Sequence, residues 1–376
     1  MVTALKKEHI AIKERIAAFA DNVIAPLQEL NTMSNFPYDI WQKMSEDGLL
    51  GLSLPISYGG SWYDYLSIVI ALEKLVNNGH NLGLAYTLMM HLIISRFFFL
   101  ENGKDEHHQS YLKDLASGSI TAAIAASEPG TGTNPKYMKT TAKRQGNNFI
   151  LNGKKGFISN GPIADILVVF AISGTIQGKN SISAFIVPKE TTGLTKTKPI
   201  ELNYLHPSQH CGITLKNCSV PASNILGSEG SANQDMIKPF RIVEETLTMG
   251  AVIGGMEYQM ELVVSLIRQQ GRNKSNELLE DIGRLKYILH AIRVLSYEAA
   301  KILEDDISHP ELPPLILSSR FLADTFQSQL KKISQDHCVN YEDIKIETIT
   351  HDLLQSLKLG KDVLRIKQRK IAEQYF

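Results

Sequence analysis

Two polar, glycine-rich segments hold the residue types best suited to chemistry. Residues 125–133 form a turn rich in hydroxyls and backbone N–H groups, which suits a polar ring edge or a pyrophosphate. Residues 151–161 predict an Asn-Gly hairpin that leads into a strand with Phe157 and Ser159 on one side. Either segment alone is more often a tight turn of a β-barrel. The two together, in this order, are a much more specific signal than either alone.

Two adjacent carboxylates, Glu244 and Glu245, follow on a predicted helix. Glu244 shares its face with the small residues Thr248, Ala251 and Gly255, which would permit the close approach of a ligand. Glu245 shares its face with an apolar stripe of the kind that normally forms core. Taken alone, a glutamate near a helix start most often complements the helix dipole. A catalytic base and a dipole-complementing charge therefore both remain open here.

Periodicity groups the chain into three parts that would position these residues. Helical spacing covers residues 4–117, and short β-rich runs between Gly, Asn and Pro turns follow as far as residue 220. Helical spacing returns from residue 234. We therefore predict three domains: all-α over residues 1–118, a β-barrel over 119–230 and an α-helical domain over 231–376.

Composition narrows the classes of function. The 376 residues are 43% hydrophobic and 21% charged, which is typical of a globular protein with an ordinary core. The 39 Lys and Arg residues equal the 39 Asp and Glu residues, so the surplus of positive charge that a nucleic-acid binder needs is missing. The three cysteines form no C-x-x-C pair. We therefore predict neither a disulfide framework nor a metal site.

Residues 82–100 form an apolar stretch long enough to span a bilayer. His91, Ser95 and Arg96 lie inside it, and such groups are costly in lipid, so a buried core helix is predicted instead. The N-terminus is charged and lacks the apolar region of a signal peptide. The sequence thus predicts a cytoplasmic protein without membrane attachment. A basic cluster at residues 367–370 is interpreted as a solvated helix end.

The two glycine-rich segments resemble the hallmark motifs of the acyl-CoA dehydrogenase superfamily of flavoproteins. Residues 127–134 correspond to its T-E-P-x-A-G-S-D turn, and residues 152–160 to its N-G-x-K-x-[FW]-I-[TS]-N strand. Phe36-Pro37 and Tyr58-Gly59-Gly60 also match the family's first domain. The resemblance implies an α+β, mainly α fold with an N-terminal helical domain, a central β-barrel and a C-terminal four-helix bundle. This order agrees with the periodicity.

The resemblance also implies FAD as the cofactor and roles for four residues of the central domain. Ser127 would hydrogen-bond the flavin pyrimidine edge, and Thr133 would lie by the FAD phosphates and the substrate. Ser159 would donate toward flavin N5, and Phe157 would cover the isoalloxazine face. A donor at N5 stabilises the charge that develops on reduction, and an aromatic wall excludes water.

The base in this superfamily is a glutamate at one of two positions. At the C-terminal position this chain has Leu359, which cannot accept a proton. At the other position Glu244 aligns with the base and Glu245 with a customary arginine. The resemblance therefore implies Glu244 as the catalytic residue and keeps Glu245 as the second candidate. Because the arginine normally helps to hold the thioester carrier, its replacement weakens the expected contact with CoA.

Two motifs that reach the FAD of a neighbouring subunit survive only in part, at Arg268 and at Gln335. The resemblance still implies FAD contacts for both residues and a homodimer or homotetramer.

The implied reaction is the α,β-dehydrogenation of an acyl thioester. The favoured substrate is a small, branched or cyclic acyl group, such as prolyl, on a carrier-protein phosphopantetheine arm, and a short or branched acyl-CoA is the alternative. An electron-transfer flavoprotein or oxygen would accept the electrons. A catalytically silent flavin-binding protein on the same fold is a third interpretation, prompted by Leu359.

Overall fold

The chain divides into two compact units in the computed structural model, which describes residues 5–103, 105–270, 275–337, 344–358 and 361–373. The first unit comprises Met1–Asn31, Asp64–Ala85 and Glu245–Phe376, and the second comprises Thr32–Tyr63 and Tyr86–Glu244.

Helices precede and follow the strands along the chain. π-helical turns at Ala20–Ile24 and Ile94–Glu101 continue two of the helices, and a third at Asn233–Ile237 leads into another. The α-helices of the described residues are α1 Lys7–Phe19, α2 Tyr38–Glu46, α3 Tyr65–Gly79, α4 Leu82–Ile93, α5 Glu106–Gln109, α6 Leu112–Ser117, α7 Lys238–Gln269, α8 Asn276–Asp305, α9 Leu312–Asp336, α10 Ile344–Lys358 and α11 Lys361–Ala372.

The strands belong to the second unit and form one sheet. Their order is β6-β7-β3-β2-β4-β5-β8, and β1 pairs with β4 in parallel. Alternate side chains of the long strands, such as Phe149 and Leu151, are buried in the core of the sheet domain. The strands are β1 Ala122–Ala125, β2 Thr141–Gln145, β3 Asn148–Ser159, β4 Ile166–Ile176, β5 Lys179–Pro188, β6 Leu194–Lys196, β7 His210–Pro221 and β8 Ile225–Leu226.

The predicted order of helices, strands and helices is confirmed, as is the α+β, mainly α class. The predicted barrel corresponds to the eight-stranded sheet. The last helical stretch of the sequence corresponds to α10 and α11.

In the first unit, α7 crosses α3 at very short range. A Cβ atom added at Gly254 would lie 2.2 Å from the backbone oxygen of Glu73, so only glycine fits this crossing. Beside it, Arg293 of α8 donates from Nε to Glu73 Oε1 at 3.2 Å and from a terminal nitrogen to Glu257 Oε2 at 2.9 Å. Buried charges paired in this way fix α3, α7 and α8 to one another.

One described helix, Leu82–Glu101, is long and apolar enough to cross a membrane. Nearly all of it is buried, and its charged and imidazole side chains, Arg96 and His91, have partners inside the protein. Arg96 donates to Glu101 Oε1 at 2.8 Å, and His91 Nε2 lies 2.9 Å from the backbone oxygen of Leu115. The predicted buried core helix is confirmed.

Candidate active site

The glycine-rich turn after β1 is anchored by a buried carboxylate, Glu128. Its oxygens accept the backbone N–H of Lys139 at 2.7 Å, the backbone N–H of Thr140 at 2.9 Å and the Thr140 hydroxyl at 2.6 Å. Gly130 and Gly132 have φ angles of +79° and +60°, which residues other than glycine rarely adopt. The turn is therefore held in one conformation from within.

A buried ion pair joins this turn to β3. Lys155 Nζ lies 3.1 Å from Glu128 Oε1 and also donates to the backbone oxygen of Ala126 at 3.2 Å. Burial lowers the pKa of Lys155 to about 8, although the charge of Glu128 opposes the shift. Burial alone would raise the pKa of Glu128, but hydrogen bonds from Thr140 and the charge of Lys155 outweigh it and lower that pKa.

The sequence interpretation gave no role to this pair, although both residues stand within the quoted motifs. A signal was present. Lys155 has the same strand parity as the buried Phe149 and Leu151, so it points inward and requires a partner there.

A β-bulge in β3 turns Phe157 outward. The pairing with β7 shifts between Lys155 and Ile158, and Phe157 takes a φ of +54°. Its ring is 64% exposed, while Ile158 enters the core. Next to the bulge, the Gly156 N–H donates to the Ser127 backbone oxygen at 2.9 Å, which brings the turn to the strand. Bulges of this type re-aim side chains next to functional sites.

Ser159 lies on the same outer side as Phe157, as the sequence predicts, and is partly buried. Its Oγ lies 2.9 Å from Nε2 of His210, the residue directly opposite on β7. Burial lowers the pKa of His210, although a hydrogen bond with the Ser208 backbone opposes the shift. His210 was not among the predicted site residues, because its approach to Ser159 depends on strand register.

Thr133 ties the turn to the start of α7. A terminal nitrogen of Arg241 donates to the Thr133 hydroxyl and lies 3.3 Å from the Thr133 backbone oxygen. Glu244, which is partly buried, follows Arg241 by one helical turn. The second unit thus contains Ser127, Thr133, Phe157, Ser159 and Glu244, the predicted flavin contacts of the central domain and the predicted base.

Glu245 belongs to the first unit, where it is engaged in an ion pair. Lys367 Nζ of α11 lies 2.5 Å from Glu245 Oε2, and the two side chains are 19% and 12% exposed. This ion pair explains why a carboxylate can lie within the apolar stripe around Glu245. The interpretation of residues 367–370 as a solvated helix end is wrong for Lys367.

The small residues that follow Glu244 on α7 pack against protein. Ala251 is fully buried, and a Cβ atom added at Gly255 would lie 3.0 Å from Leu353 and 3.4 Å from Ile349, both on α10. The expectation that this whole face admits a ligand is therefore wrong at Gly255. Its small size serves the packing of two helices.

Arg268 and Gln335 lie in the first unit and are both exposed. Gln335 lines a cavity of about 560 Å³ between α9 and α10, together with Asp324, Gln327, Ser328, Lys331, Thr350 and Leu354. Contact of these two residues with a neighbouring subunit's FAD stays a prediction. Leu359, at the C-terminal position of the family's base, lies outside the described residues, as do Gly271 after Arg268 and residues 338–341 after Gln335.

The arrangement around the turn fits a flavin. An exposed aromatic ring at Phe157 offers a flat apolar face. Ser159 follows two residues later on β3, and the Ser127 backbone oxygen accepts the N–H of Gly156; both serines are partly buried. The Thr131 hydroxyl oxygen is buried and has no hydrogen-bond partner within the described part of the chain. A buried polar atom of this kind is normally satisfied, so a ligand at the turn would supply what the protein does not.

The chain is similar to known proteins over most of its length. The acyl-CoA dehydrogenase N-terminal domain model matches residues 6–119, and the middle domain model matches residues 123–218. The mitochondrial 2-methylacyl-CoA dehydrogenase of Solanum tuberosum is 33% identical over 69% of this chain and 63% of its own length. An acyl-CoA dehydrogenase of Bacillus subtilis (strain 168) is 31% identical over 70% of this chain and 69% of its own.

Among solved structures, a prolyl acyl carrier protein oxidase is 26% identical, with a TM-score of 0.86 over 99% of this chain and 100% of that one. The chain spans slightly less than two thirds of the length of the Solanum relative. With two domain models covering more than half of it, the chain belongs to the acyl-CoA dehydrogenase family, whose cofactor is FAD.

Proposed function

We propose that this protein uses FAD to oxidise an acyl thioester to its α,β-unsaturated form, with Glu244 as the base. The observation that carries the proposal is the link from Arg241 to Thr133, which fixes the start of the Glu244 helix to the turn suited to the flavin. FAD supplies the acceptor for the hydride that leaves the β-carbon.

The residues of the chain then have separate tasks. Glu244 removes the proton from the α-carbon, which the thioester carbonyl makes acidic, and keeps it on a carboxylate oxygen. Ser127 and Ser159 bind and orient the ring system through their hydroxyls. The exposed ring of Phe157 covers one face and keeps water away from the reacting atoms.

Glu245 is the weaker candidate for the base. One of its oxygens is engaged by the ammonium group of Lys367 at 2.5 Å, and both side chains are largely buried. Proton abstraction by Glu245 would replace this contact with a neutral acid facing a buried cation, which is costly.

We infer that the acyl group is small, branched or cyclic and is carried by a phosphopantetheine arm on a carrier protein. The family's arginine after the base is replaced by Glu245, and the nearby cation, Lys367, is committed to that glutamate. This pair offers no cation to the extra phosphate of CoA, whereas a carrier-bound arm needs none. The likeness to a prolyl acyl carrier protein oxidase over the whole chain supports the same choice.

The second candidate is a short or branched acyl-CoA. It is favoured by the curated relatives, which include 2-methylacyl-CoA and isovaleryl-CoA dehydrogenases. In either case we propose that an electron-transfer flavoprotein or oxygen reoxidises the flavin, and that the protein works in the cytoplasm as a homodimer or homotetramer.

The deciding experiment offers one acyl group in two forms, as its CoA ester and loaded on a carrier protein. Candidates are prolyl, isovaleryl and butyryl groups, and the readout is a two-dalton loss by mass spectrometry. We expect the loss mainly from the carrier-bound form in the wild type and from neither form in Glu244→Gln. Equal or faster loss from the CoA esters would replace the carrier protein by CoA. No loss from any member of the panel, with FAD bound, would favour a catalytically silent flavoprotein.

A further inference from the structure

Arg241 of α7 carries a charge that no acidic side chain in the described part of the protein neutralises. One terminal nitrogen of its guanidinium donates to the Thr133 hydroxyl and lies 3.3 Å from the Thr133 backbone oxygen. Both acceptors are uncharged, and the remaining guanidinium nitrogens have no acceptor among the described residues. The residue is partly buried, so water compensates its charge incompletely. A guanidinium in these surroundings favours an anion, which it can bind through two parallel hydrogen bonds.

The turn that Arg241 contacts also contains an unsatisfied hydroxyl. Thr131 lies two residues before Thr133, and its hydroxyl oxygen is buried without a hydrogen-bond partner in the described ranges. Burial of such a group costs free energy unless a partner completes it. Arg241 and Thr131 thus bring unused hydrogen-bond donors to one turn.

The charge around the turn favours an anion as well. Glu128, the single carboxylate of the turn, is already engaged by Lys155 and by the backbone N–H groups of Lys139 and Thr140. The stretch between Glu128 and Asp165 contains no Asp or Glu. Its cationic residues are Lys136, Lys139, Lys143, Arg144, Lys154 and Lys155. An anion at the turn would therefore meet positive charge and little repulsion.

We propose that Arg241 and Thr131 form a phosphate-binding subsite at the glycine-rich turn. Phosphate oxygens match the planar fork of the guanidinium and also accept from a hydroxyl. The inference rests on the proposed function, because both ligands proposed there carry phosphate. FAD has a pyrophosphate, and the pantetheine arm ends in a phosphate whether it belongs to CoA or to a carrier protein. The family resemblance implies FAD phosphates near Thr133 but assigns no cation of the second unit to them.

The test compares ligands with and without phosphate, which separates a loss of phosphate binding from a general loss of structure. The FAD-free protein is titrated with riboflavin and FMN, which differ by one phosphate, and with FAD, each followed by flavin fluorescence. The FAD-saturated enzyme is given one oxidisable acyl group as its pantetheine and as its 4′-phosphopantetheine thioester, and KM is measured for each. Arg241→Gln removes the charge, and Thr131→Val removes the hydroxyl at nearly constant volume.

We expect the phosphate-bearing ligands of at least one set to bind about 10- to 100-fold more weakly in Arg241→Gln and about 3- to 10-fold more weakly in Thr131→Val. Ligands without phosphate should bind as they do in the wild type. Arg241→Lys keeps the charge but not the planar fork, so it should restore part of the loss. Arg144→Gln is the matched control and should change neither set, because Arg144 is paired with Glu229 in the same unit.

The two sets of ligands identify the source of the phosphate. A phosphate-dependent loss among the flavins assigns the subsite to the cofactor, and one among the thioesters assigns it to the substrate arm. Equal losses with and without phosphate would show that Arg241 only holds Thr133 in place, and no loss in either set would also overturn the subsite. The proposed function fails separately, if the wild type oxidises no thioester, because the flavin titrations test the subsite without turnover.

Discussion

Replacing Lys155 by methionine should lower the free energy of unfolding by about 3–5 kcal/mol, because it leaves the buried Glu128 charge without its counterion. The Lys155 side chain is fully buried, and its Nζ lies 3.1 Å from Glu128 Oε1. Glu128 would keep the hydrogen bonds from Lys139 and Thr140, which hold it ionised while the compensating cation is gone. Methionine fills a similar volume, so little of the loss comes from a cavity.

A double variant and a control variant test whether the loss comes from the unpaired Glu128 charge. In Glu128→Gln/Lys155→Met both charges are removed, and the cost should fall below the sum of the single variants by about 1–3 kcal/mol. Lys189→Met is the matched control, since Lys189 pairs with Asp165 at 2.7 Å but is 47% exposed. Solvent screens an exposed pair, so the loss in Lys189→Met should be far smaller than the loss in Lys155→Met.

Urea unfolding followed by tryptophan fluorescence is the assay. Both tryptophans, Trp41 and Trp62, lie in the same unit as Lys155, so the signal reports the unit that the variant perturbs. A loss in Lys155→Met no larger than the loss in Lys189→Met would refute the argument. If the losses in free energy of unfolding of the two single variants add up to that of the double variant, the two charges do not interact.

Three further perturbations test the fold and the site. Burial lowers the pKa of His91 from 6.5 to about 4, so the unfolded chain binds more protons than the folded protein between these pH values. The free energy of unfolding should therefore fall by about 3 kcal/mol as the pH drops from 6.5 to 4. The urea midpoint should depend less on pH across this range in His91→Gln. Gly254→Ala should lower the melting temperature because of the clash at 2.2 Å, whereas Gly283→Ala, with open space around it, should stabilise α8 by about 1 kcal/mol. Phe157→Gly should relieve about 1 kcal/mol of backbone strain and so raise the stability of the FAD-free protein, while FAD affinity falls in fluorescence titration.

Local patterns foresaw the parts of the fold that depend on local physics. Helical spacing predicted the helices on either side of the strands, and the polar residues inside 82–100 predicted a core helix instead of a membrane span. Strand parity predicted Phe157 and Ser159 on one side, and the structure has them there. The β-bulge between Lys155 and Ile158 was not predicted, because strand parity does not indicate bulges.

Contacts between distant segments were beyond the reach of such patterns. His210 meets Ser159 only because the register of β3 and β7 aligns them, and Lys367 meets Glu245 across 122 positions of sequence. Periodicity says which face is buried but not what covers it. For the same reason the small face after Glu244 was expected to admit a ligand, although α10 covers it at Gly255.

The most direct test of the central claim is the anaerobic bleaching of bound FAD by an acyl thioester that the wild type oxidises. Glu244→Gln and Glu245→Gln are compared, each with FAD occupancy verified by its visible spectrum. If Glu244 is the base, the flavin bleaches in the wild type and in Glu245→Gln and stays yellow in Glu244→Gln. Bleaching at the wild-type rate in Glu244→Gln would contradict the assignment, and its loss in Glu245→Gln alone would move the base to the neighbouring residue.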